Sequence, residues 1–246
     1  MKRSKLFAWT GTALVSLLLT GCNLVSDPAL MKQTLITRQL DPQGLSRIDA
    51  SLAIMRSTHT YLLKATQTYT EGSNVKTADY FGTISLPSTI MLSETIDGLN
   101  AVIYQSGKHA YVNMNGKWQS APPVTNVLPW DALAALLTLH PPRQVYALPT
   151  QPVLSWECDV YQFQETIPQS WRGVVPASEW PLMPRDALYT LWIDKGDHHL
   201  RQMEIQSTSG VPSLGTVTMN AVQTYANLNL PVTITMPAGL KKHLEN

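Results

Sequence analysis

The sequence has few cysteines and few charged residues, and both shortages limit what the protein can be. Only two of its 246 residues are cysteine, which allows one intramolecular disulfide at most. Charged residues make up 14% of the chain, with 18 Lys and Arg residues against 17 Asp and Glu residues. A nucleic-acid partner would require clustered basic residues that neutralise phosphates, so we expect none.

Catalytic motifs are also missing. The sequence contains no G-x-S-x-G nucleophile elbow, no H-E-x-x-H zinc motif, no Walker loop, no Rossmann glycine fingerprint and no C-x-x-C pair. We therefore expect a protein that is not an enzyme and that uses no cofactor. No second long apolar run follows the first one, so we expect a soluble body that is tethered at its start.

The first apolar run ends in a recognisable motif. Leu19-Thr20-Gly21-Cys22 has the pattern of a lipobox, the cleavage and acylation signal of bacterial lipoproteins. Three of the first five residues are basic, and residues 6–20 have the length of a signal-peptide core, which is short for a membrane span. The alternative is an ordinary signal peptide or membrane anchor that happens to end in Cys. We predict cleavage before Cys22 and attachment of a diacylglycerol to its sulfur, with palmitate among the acyl chains that Cys22 carries.

The lipobox divides the chain into three parts. We predict a signal peptide over residues 1–21, a lipid-anchored tether and lead-in over 22–40, and a single domain over 41–246 with a Pro- and Trp-rich insertion near 166–186. Cleavage removes three basic and no acidic residues, which leaves 15 basic against 17 acidic residues. The predicted location is the extracytoplasmic face of the cell membrane. Lipidation of Cys22 leaves one cysteine, so no intramolecular disulfide is expected.

Alternating apolar residues predict a sheet built from strands that are neighbours in sequence. The dipeptide Asn115-Gly116 is the strongest hairpin signal, because both residues tolerate the positive φ of a type I′ turn. Flanking prolines make Leu230–Pro237 a predicted edge strand. The other predicted strands cover residues 58–69, 75–85, 89–96, 101–105, 109–114, a short strand at Trp118, 187–194, 199–208 and 215–225.

Two segments have helical patterns instead. Asp41 and Pro42 have the order of an N-cap followed by a first helical residue, ahead of apolar residues at three- and four-residue spacing. Asp131–His140 is rich in Ala and Leu and is predicted to be buried nearly all round, with Asp131 as its cap. About ten strands and two helices predict an α+β domain in which a curved antiparallel sheet wraps over helices. The apolar face of the first helix comprises Leu45, Ile48, Leu52 and Met55.

Two polar features could have carried chemistry. Asp194, Asp197, His198 and His199 form a tight polar cluster in which a metal site is conceivable. A turn between two strands already explains its acids and its glycine, so we predict no metal site. Cys158 lies in an alternating segment, and we interpret it as a small buried residue and not as a reactive thiol.

The order of these elements resembles that of the LppX/LprG-type bacterial lipoproteins. Those proteins share the half-barrel fold of the lipoprotein carriers LolA and LolB. The resemblance covers most of the chain after Cys22, and the Pro- and Trp-rich segment near 166–186 departs from it. It implies a half-barrel sheet folded over helices, around a hydrophobic cavity that carries acyl chains. The segments that carry it are Tyr111–Trp118, Tyr189–Asp194, Leu200–Ile205 and Leu230–Pro237.

We therefore predict a membrane-anchored lipoprotein that binds a lipid or another hydrophobic ligand in a half-barrel cavity. The alternative is a regulatory lipoprotein with a solidly packed fold, which senses envelope state and acts on a membrane protein partner. Composition does not separate a cavity from a filled core, because both need the same bulky apolar residues. The candidate wall residues, chosen by strand or helix face, are Tyr61, Leu63, Ile90, Leu92, Ile103, Tyr111, Leu133, Leu137, Leu191, Ile193, Met203 and Ile205.

Overall fold

A computed structural model of the protein describes residues 38–87, 89–124, 129–166, 186–211 and 215–245. The predicted signal peptide, Cys22 and nearly all of the Pro- and Trp-rich insertion lie outside these residues. Cleavage, lipidation and the division of the chain therefore stay predictions. The last residues of the predicted lead-in, Gln39 and Leu40, form a short strand that pairs with Ala147 and Tyr146.

The described residues form one antiparallel sheet of twelve strands together with three helices. The strand order is β1-β8-β9-β10-β11-β12-β2-β3-β4-β5-β6-β7. Two meanders, β2–β7 and β8–β12, are therefore joined where β12 pairs with β2. The predicted α+β half-barrel is confirmed. The strands are β1 (Gln39–Leu40), β2 (Thr60–Glu71), β3 (Asn74–Ser85), β4 (Thr89–Ile96), β5 (Leu99–Ser106), β6 (His109–Met114), β7 (Lys117–Ala121), β8 (Val145–Val153), β9 (Trp156–Thr166), β10 (Asp186–Asp194), β11 (Leu200–Val211) and β12 (Gly215–Ala226).

Local turn chemistry explains why the hairpins were predictable. Asn115 and Gly116 have φ values of 52° and 79°, as the predicted type I′ turn requires. Asp97 and Gly98 also have positive φ between β4 and β5. Glycine is needed at position 82 for a different reason, which is the close approach of β4. A Cβ atom there would lie 2.0 Å from the backbone oxygen of Met91.

The first helix, α1 (Gly44–Met55), begins later than predicted. Asp41 is not its N-cap, which is Gln43. The Asp41 side chain instead accepts a hydrogen bond from the Gln43 amide at 2.8 Å, and its own amide donates to Val145 at 2.9 Å. Asp41 thus stabilises the turn that leads from the sheet edge into the helix. The predicted apolar face is confirmed, since its central residues Ile48 and Leu52 are buried.

The second helix, α2 (Pro129–Leu139), starts before Asp131, which lies in its first turn and does not cap it. The prediction that this helix is buried nearly all round is wrong. Leu139 is 61% exposed and Ala135 is also exposed, because one side of α2 faces away from the sheet. α2 packs most closely against α1, and α1 packs against β8 and β11.

The C-terminal strand predicted over Leu230–Pro237 is also wrong. That segment pairs with no described strand, and it leads into a third helix, α3 (Ala238–Leu244). Ile234 and Leu240 pack instead on the outer face of the sheet, against Tyr104 and Trp118. The alternation marked no buried face here, since Leu230, Val232 and Met236 are exposed and only Ile234 is half-buried against the sheet.

Strand β8 was not predicted at all. It carries Pro149 and Pro152, which cannot donate backbone hydrogen bonds to a neighbouring strand. Its register with β9 shifts between Leu148 and Gln151, so the irregular stretch coincides with the first proline. The strand is secured by regular pairing on both sides of this irregularity.

The two faces of the sheet bury different amounts of apolar surface. The inner face, together with α1 and α2, forms one large apolar cluster that includes residues from both meanders. The outer face carries two small clusters, one beneath α3 and one on β8, β9 and β10. In the described part of the chain, no helix has the length and apolar composition that a membrane span requires.

Candidate functional site

The inner face brings together the predicted wall residues, with one exception. They lie on both meanders and on α2, and all are nearly inaccessible to solvent in one continuous cluster. Their proposed contact with a ligand stays a prediction. The residues placed together are Tyr61, Leu63, Ile90, Leu92, Ile103, Leu133, Leu137, Leu191, Ile193, Met203 and Ile205.

Tyr111 is the exception, because it lies on the outer face. It pairs with Tyr104 in the register of β5 and β6, and both side chains belong to the small cluster beneath α3. The inward positions of β6 are Ala110 and Val112 instead. Alternation did mark the inward phase, because Ala110, Val112 and Met114 share one phase of β6, whereas Tyr111 shares the other with His109 and Asn113. The choice of Tyr111 as a wall residue was therefore wrong.

An aromatic cluster closes one end of the inner face. Trp130 of α2 lies in edge-to-face contact with Tyr61 and Tyr225, at centroid distances of 5.0 and 5.4 Å. Tyr61 and Tyr225 are 6.1 Å apart on the adjacent strands β2 and β12. The three rings fix the start of α2 against the sheet, and such ring pairs stabilise a core beyond their burial alone.

A polar patch lies further along the same face. It consists of Gln67, Glu94, Ser207 and Gln223, each at most 3% exposed, and we call it the inner polar patch. Their strands are β11, β12, β2 and β4, and only β3, which carries Tyr80, lies between β2 and β4 in the sheet. Glu94 pairs with Tyr80, which pairs with Ala65, which in turn pairs with Gln223, so these residues form one row across the sheet.

Gln67 and Ser207 extend the patch into the neighbouring rows. Gln67 is two residues from Ala65 on β2, so it lies diagonally opposite Gln223 and Tyr80. Ser207 pairs with Met219, whose sulfur accepts a hydrogen bond from Gln67 Nε2 at 3.3 Å. The four members of the patch are therefore contiguous on the inner face.

Only some of the polar atoms in the inner polar patch have hydrogen-bond partners. Gln67 Nε2 also donates to the Tyr69 hydroxyl, and Gln223 Oε1 accepts from the Tyr225 hydroxyl at 2.7 Å. Gln67 Oε1, both carboxyl oxygens of Glu94, Ser207 Oγ and Gln223 Nε2 have no hydrogen bond of normal geometry within the described residues. Buried polar atoms in folded proteins almost always have a partner, so this concentration calls for an explanation.

Burial also changes the protonation of the patch. Desolvation raises the pKa of Glu94, and a hydrogen-bonding interaction with the hydroxyl of Tyr80 opposes this rise. The pKa of Tyr80 is raised as well, by burial and by the neighbouring Glu94. Both groups are thus shifted toward their uncharged forms, in which each can donate a hydrogen bond.

The predicted turn after β10 is present on the outer face, and it accounts for the acidic cluster. Asp194 accepts two hydrogen bonds from Arg201, at 3.0 and 2.8 Å, and one from the Gly196 amide at 2.8 Å. Asp197 also contacts Arg201 and lies 3.0 Å from His199. In the described ranges, no three His, Cys, Asp or Glu side chains are grouped so that they could hold a metal ion.

Cys158 belongs to the same outer region. It is buried with Val160 and Trp192 on β9 and β10, which confirms its interpretation as a small buried residue. Burial, and next the nearby Asp194 carboxylate, raise the pKa of the Cys158 thiol to about 11. At neutral pH the thiol is therefore protonated and a poor nucleophile.

Comparisons with known proteins now bear on the fold. No protein-family model matches the chain, and no curated protein matches it either. The structure of LprF from Mycobacterium bovis superposes with a TM-score of 0.54 at 14% identity, over 81% of this chain and 99% of LprF. The chain is similar in fold to LprF.

A second structure, the lipoprotein LppX from Mycobacterium tuberculosis, has a TM-score of 0.49 at 16% identity, over 79% of this chain and all of LppX. At 14% identity the similarity to LprF concerns the fold, and it confirms the half-barrel that the sequence resemblance implied.

Sequence reasoning missed the inner polar patch, although a signal for it exists. Gln67 continues the inward alternation of Tyr61, Leu63 and Ala65 on β2, so its position in that phase marks it as buried. Glu94 continues Ile90 and Leu92 in the same way. A polar residue at an inward position of an otherwise apolar phase is the pattern that would have found both.

Proposed function

We propose that the protein is a membrane-anchored extracytoplasmic lipoprotein that binds an amphiphile between the inner face of its half-barrel and its helices. The observation that carries this proposal is the combination of an apolar face spanning both meanders with a buried polar patch whose atoms lack partners. An apolar interior alone fits a filled core equally well. Unpartnered polar atoms within it are expected where a ligand or ordered water supplies the missing bonds.

Burial of an acyl chain would provide most of the affinity. Each methylene removed from water contributes about 0.8 kcal/mol. The candidate wall residues are the apolar ones brought together on the inner face, with Leu133 and Leu137 contributed by α2. The fold shared with LprF is compatible with this role, and the absence of any catalytic motif in the sequence agrees with binding as the activity.

Native mass spectrometry of residues 23–246, which contain every described helix and strand, tests ligand binding. We expect a species heavier than the polypeptide, whose extra mass is released by organic extraction and is lipid. The extracted protein should then take up a fluorescent fatty-acid analogue. Protein that carries no extractable lipid and binds no analogue would instead favour a solidly packed regulatory protein.

Anchoring through Cys22 is a separate part of the proposal. Two or three acyl chains would make a stable tether where one chain is marginal. Cells grown with radioactive palmitate should label the wild-type chain, whereas Cys22→Ser should remain an unlabelled and uncleaved precursor. Palmitate labelling of Cys22→Ser would show that the lipobox is not the attachment site.

A further inference from the structure

We propose that the inner polar patch binds the uncharged hydrogen-bonding group of an amphiphile, such as a hydroxyl, ester or amide, in preference to a phosphate or carboxylate. This inference rests on the proposed function and specifies the chemistry of its ligand. It is carried by the unpartnered atoms of the patch and by the charges around them.

The unpartnered atoms offer both donors and acceptors. Gln223 Nε2 can donate a hydrogen bond, Gln67 Oε1 can accept one, and the Ser207 hydroxyl can do either. A hydroxyl group on a ligand would satisfy a donor and an acceptor together. A carboxylate or phosphate can only accept hydrogen bonds, so it would leave Gln67 Oε1 without a partner.

The charges on the inner face disfavour an anion. Arg201 is the one fully buried basic side chain in the described ranges, and Asp194 binds it on the outer face. The inner face instead carries two buried acids, Glu94 and Glu165. Lys76 lies in the inward phase of β3 but is exposed near the end of that strand. An anion within the patch would be desolvated without a positive partner.

Three probes with the same 18-carbon chain separate the alternatives: 1-oleoylglycerol, oleate and oleylamine. Their binding to delipidated residues 23–246 can be measured at pH 7.5 by displacement of N-phenyl-1-naphthylamine, below the aggregation threshold of each probe. We expect 1-oleoylglycerol to bind at least about tenfold more tightly than oleate or oleylamine, because one lost buried hydrogen bond has about that effect.

The other outcomes have distinct meanings. Equal affinity for the three probes would overturn the patch proposal, because the polar atoms would then be satisfied by water, while amphiphile binding itself would stand. Tightest binding of oleylamine would also overturn it, since Glu94 would then act as an anion. If none of the probes displaced the dye, both this proposal and the proposed function would fail.

Substitutions at Glu94 test the patch directly. Glu94→Gln keeps a hydrogen-bonding group at this position and should bind 1-oleoylglycerol like the wild type. Glu94→Leu removes that group and should weaken binding of 1-oleoylglycerol about tenfold without weakening that of oleate. Gln206→Leu is the matched control, because Gln206 lies on the outer face and donates to Glu204.

Wild-type affinity of Glu94→Leu for 1-oleoylglycerol would overturn the proposal. Should Glu94→Leu fail to fold, Gln223→Met provides the same test, since it removes the unpartnered donor with little change in volume. We expect the same loss of about tenfold for this variant. Unchanged binding there would overturn the proposal equally.

Discussion

Two buried carboxyl groups, Glu94 on the inner face and Asp194 on the outer face, have opposite surroundings. Asp194 is 6% exposed and accepts three hydrogen bonds from Arg201 and from the Gly196 amide. Glu94 is 2% exposed, and neither of its oxygens has a hydrogen bond of normal geometry within the described residues. The carboxylate of Asp194 is fully hydrogen-bonded within the protein, whereas the carboxyl group of Glu94 can still form hydrogen bonds with a ligand.

This difference separates a structural group from a candidate ligand group. Arg201 also lies over the ring of Trp156, at 4.1 Å from its centroid, so the outer cluster fixes β9, β10 and β11 together. Glu94 interacts with the hydroxyl of Tyr80 but with no buried basic side chain in the described ranges, and a buried acid without a charged partner costs stability. A role in ligand binding would explain why the protein retains a buried acid at position 94.

Removal of Arg201 should have the largest effect. Arg201→Met leaves Asp194 buried without its partner, and we expect it to lower the free energy of unfolding by about 3–5 kcal/mol. Urea denaturation followed by circular dichroism measures this loss. Lys195→Met is the matched control, since Lys195 pairs with Glu157 at 2.8 Å on the surface and should lose nothing measurable. Equal losses in the two variants would show that the buried pair contributes no more than a surface one.

Replacement of the two acids by leucine should give effects of opposite sign. Glu94→Leu should raise the free energy of unfolding of ligand-free protein by about 1–3 kcal/mol at pH 7, because it removes a buried acid that has no basic partner among the described residues. Asp194→Leu should destabilise the protein, because it leaves Arg201 unpaired. The same urea experiment compares them, and destabilisation by both would mean that Glu94 has a structural partner after all.

The contribution of Glu94 to stability should depend on pH, because its pKa is raised in the folded protein. A carboxyl group whose pKa is higher in the folded state favours folding fully below its unfolded pKa, near 4.5, and that contribution is lost as pH rises through the folded value. Glu94→Gln cannot titrate, so its stability relative to the wild type should increase from pH 4.5 upward. A difference that stays constant with pH would contradict the raised pKa.

Much of the fold could be predicted because its determinants are local. The predicted strands that the structure contains have ends within three residues of those observed, because alternation and turn residues such as Asn115 and Gly116 are read directly from the chain. Strand β8 was missed because its prolines at 149 and 152 contradict the local pattern, although pairing on both sides secures it. The segment 230–237 was misassigned because alternation alone does not ensure strand pairing or burial, and Leu230, Val232 and Met236 are in fact exposed.

The candidate site was predictable in its apolar part and not in its polar part. Residues such as Leu63, Leu92 and Leu191 follow from strand phase. Tyr111 fails because it lies in the phase of β6 that also holds the polar residues His109 and Asn113. The patch depends on β12 pairing with β2, strands separated by more than a hundred residues, which places Gln223 diagonal to Gln67.

The amino-acid sequence by itself determined most of the strands, the hairpin turns, the inward phase of most strands and the lipobox pattern, since each depends on residues a few positions apart. Tertiary structure decided which of the buried polar groups found partners. Asp194 meets Arg201 across a single hairpin. The sheet register instead places Glu94 in an apolar interior, where it has no buried basic partner among the described residues. Hydrogen bonding requires contact within about 3 Å, and such contacts between distant segments exist only once the sheet has assembled.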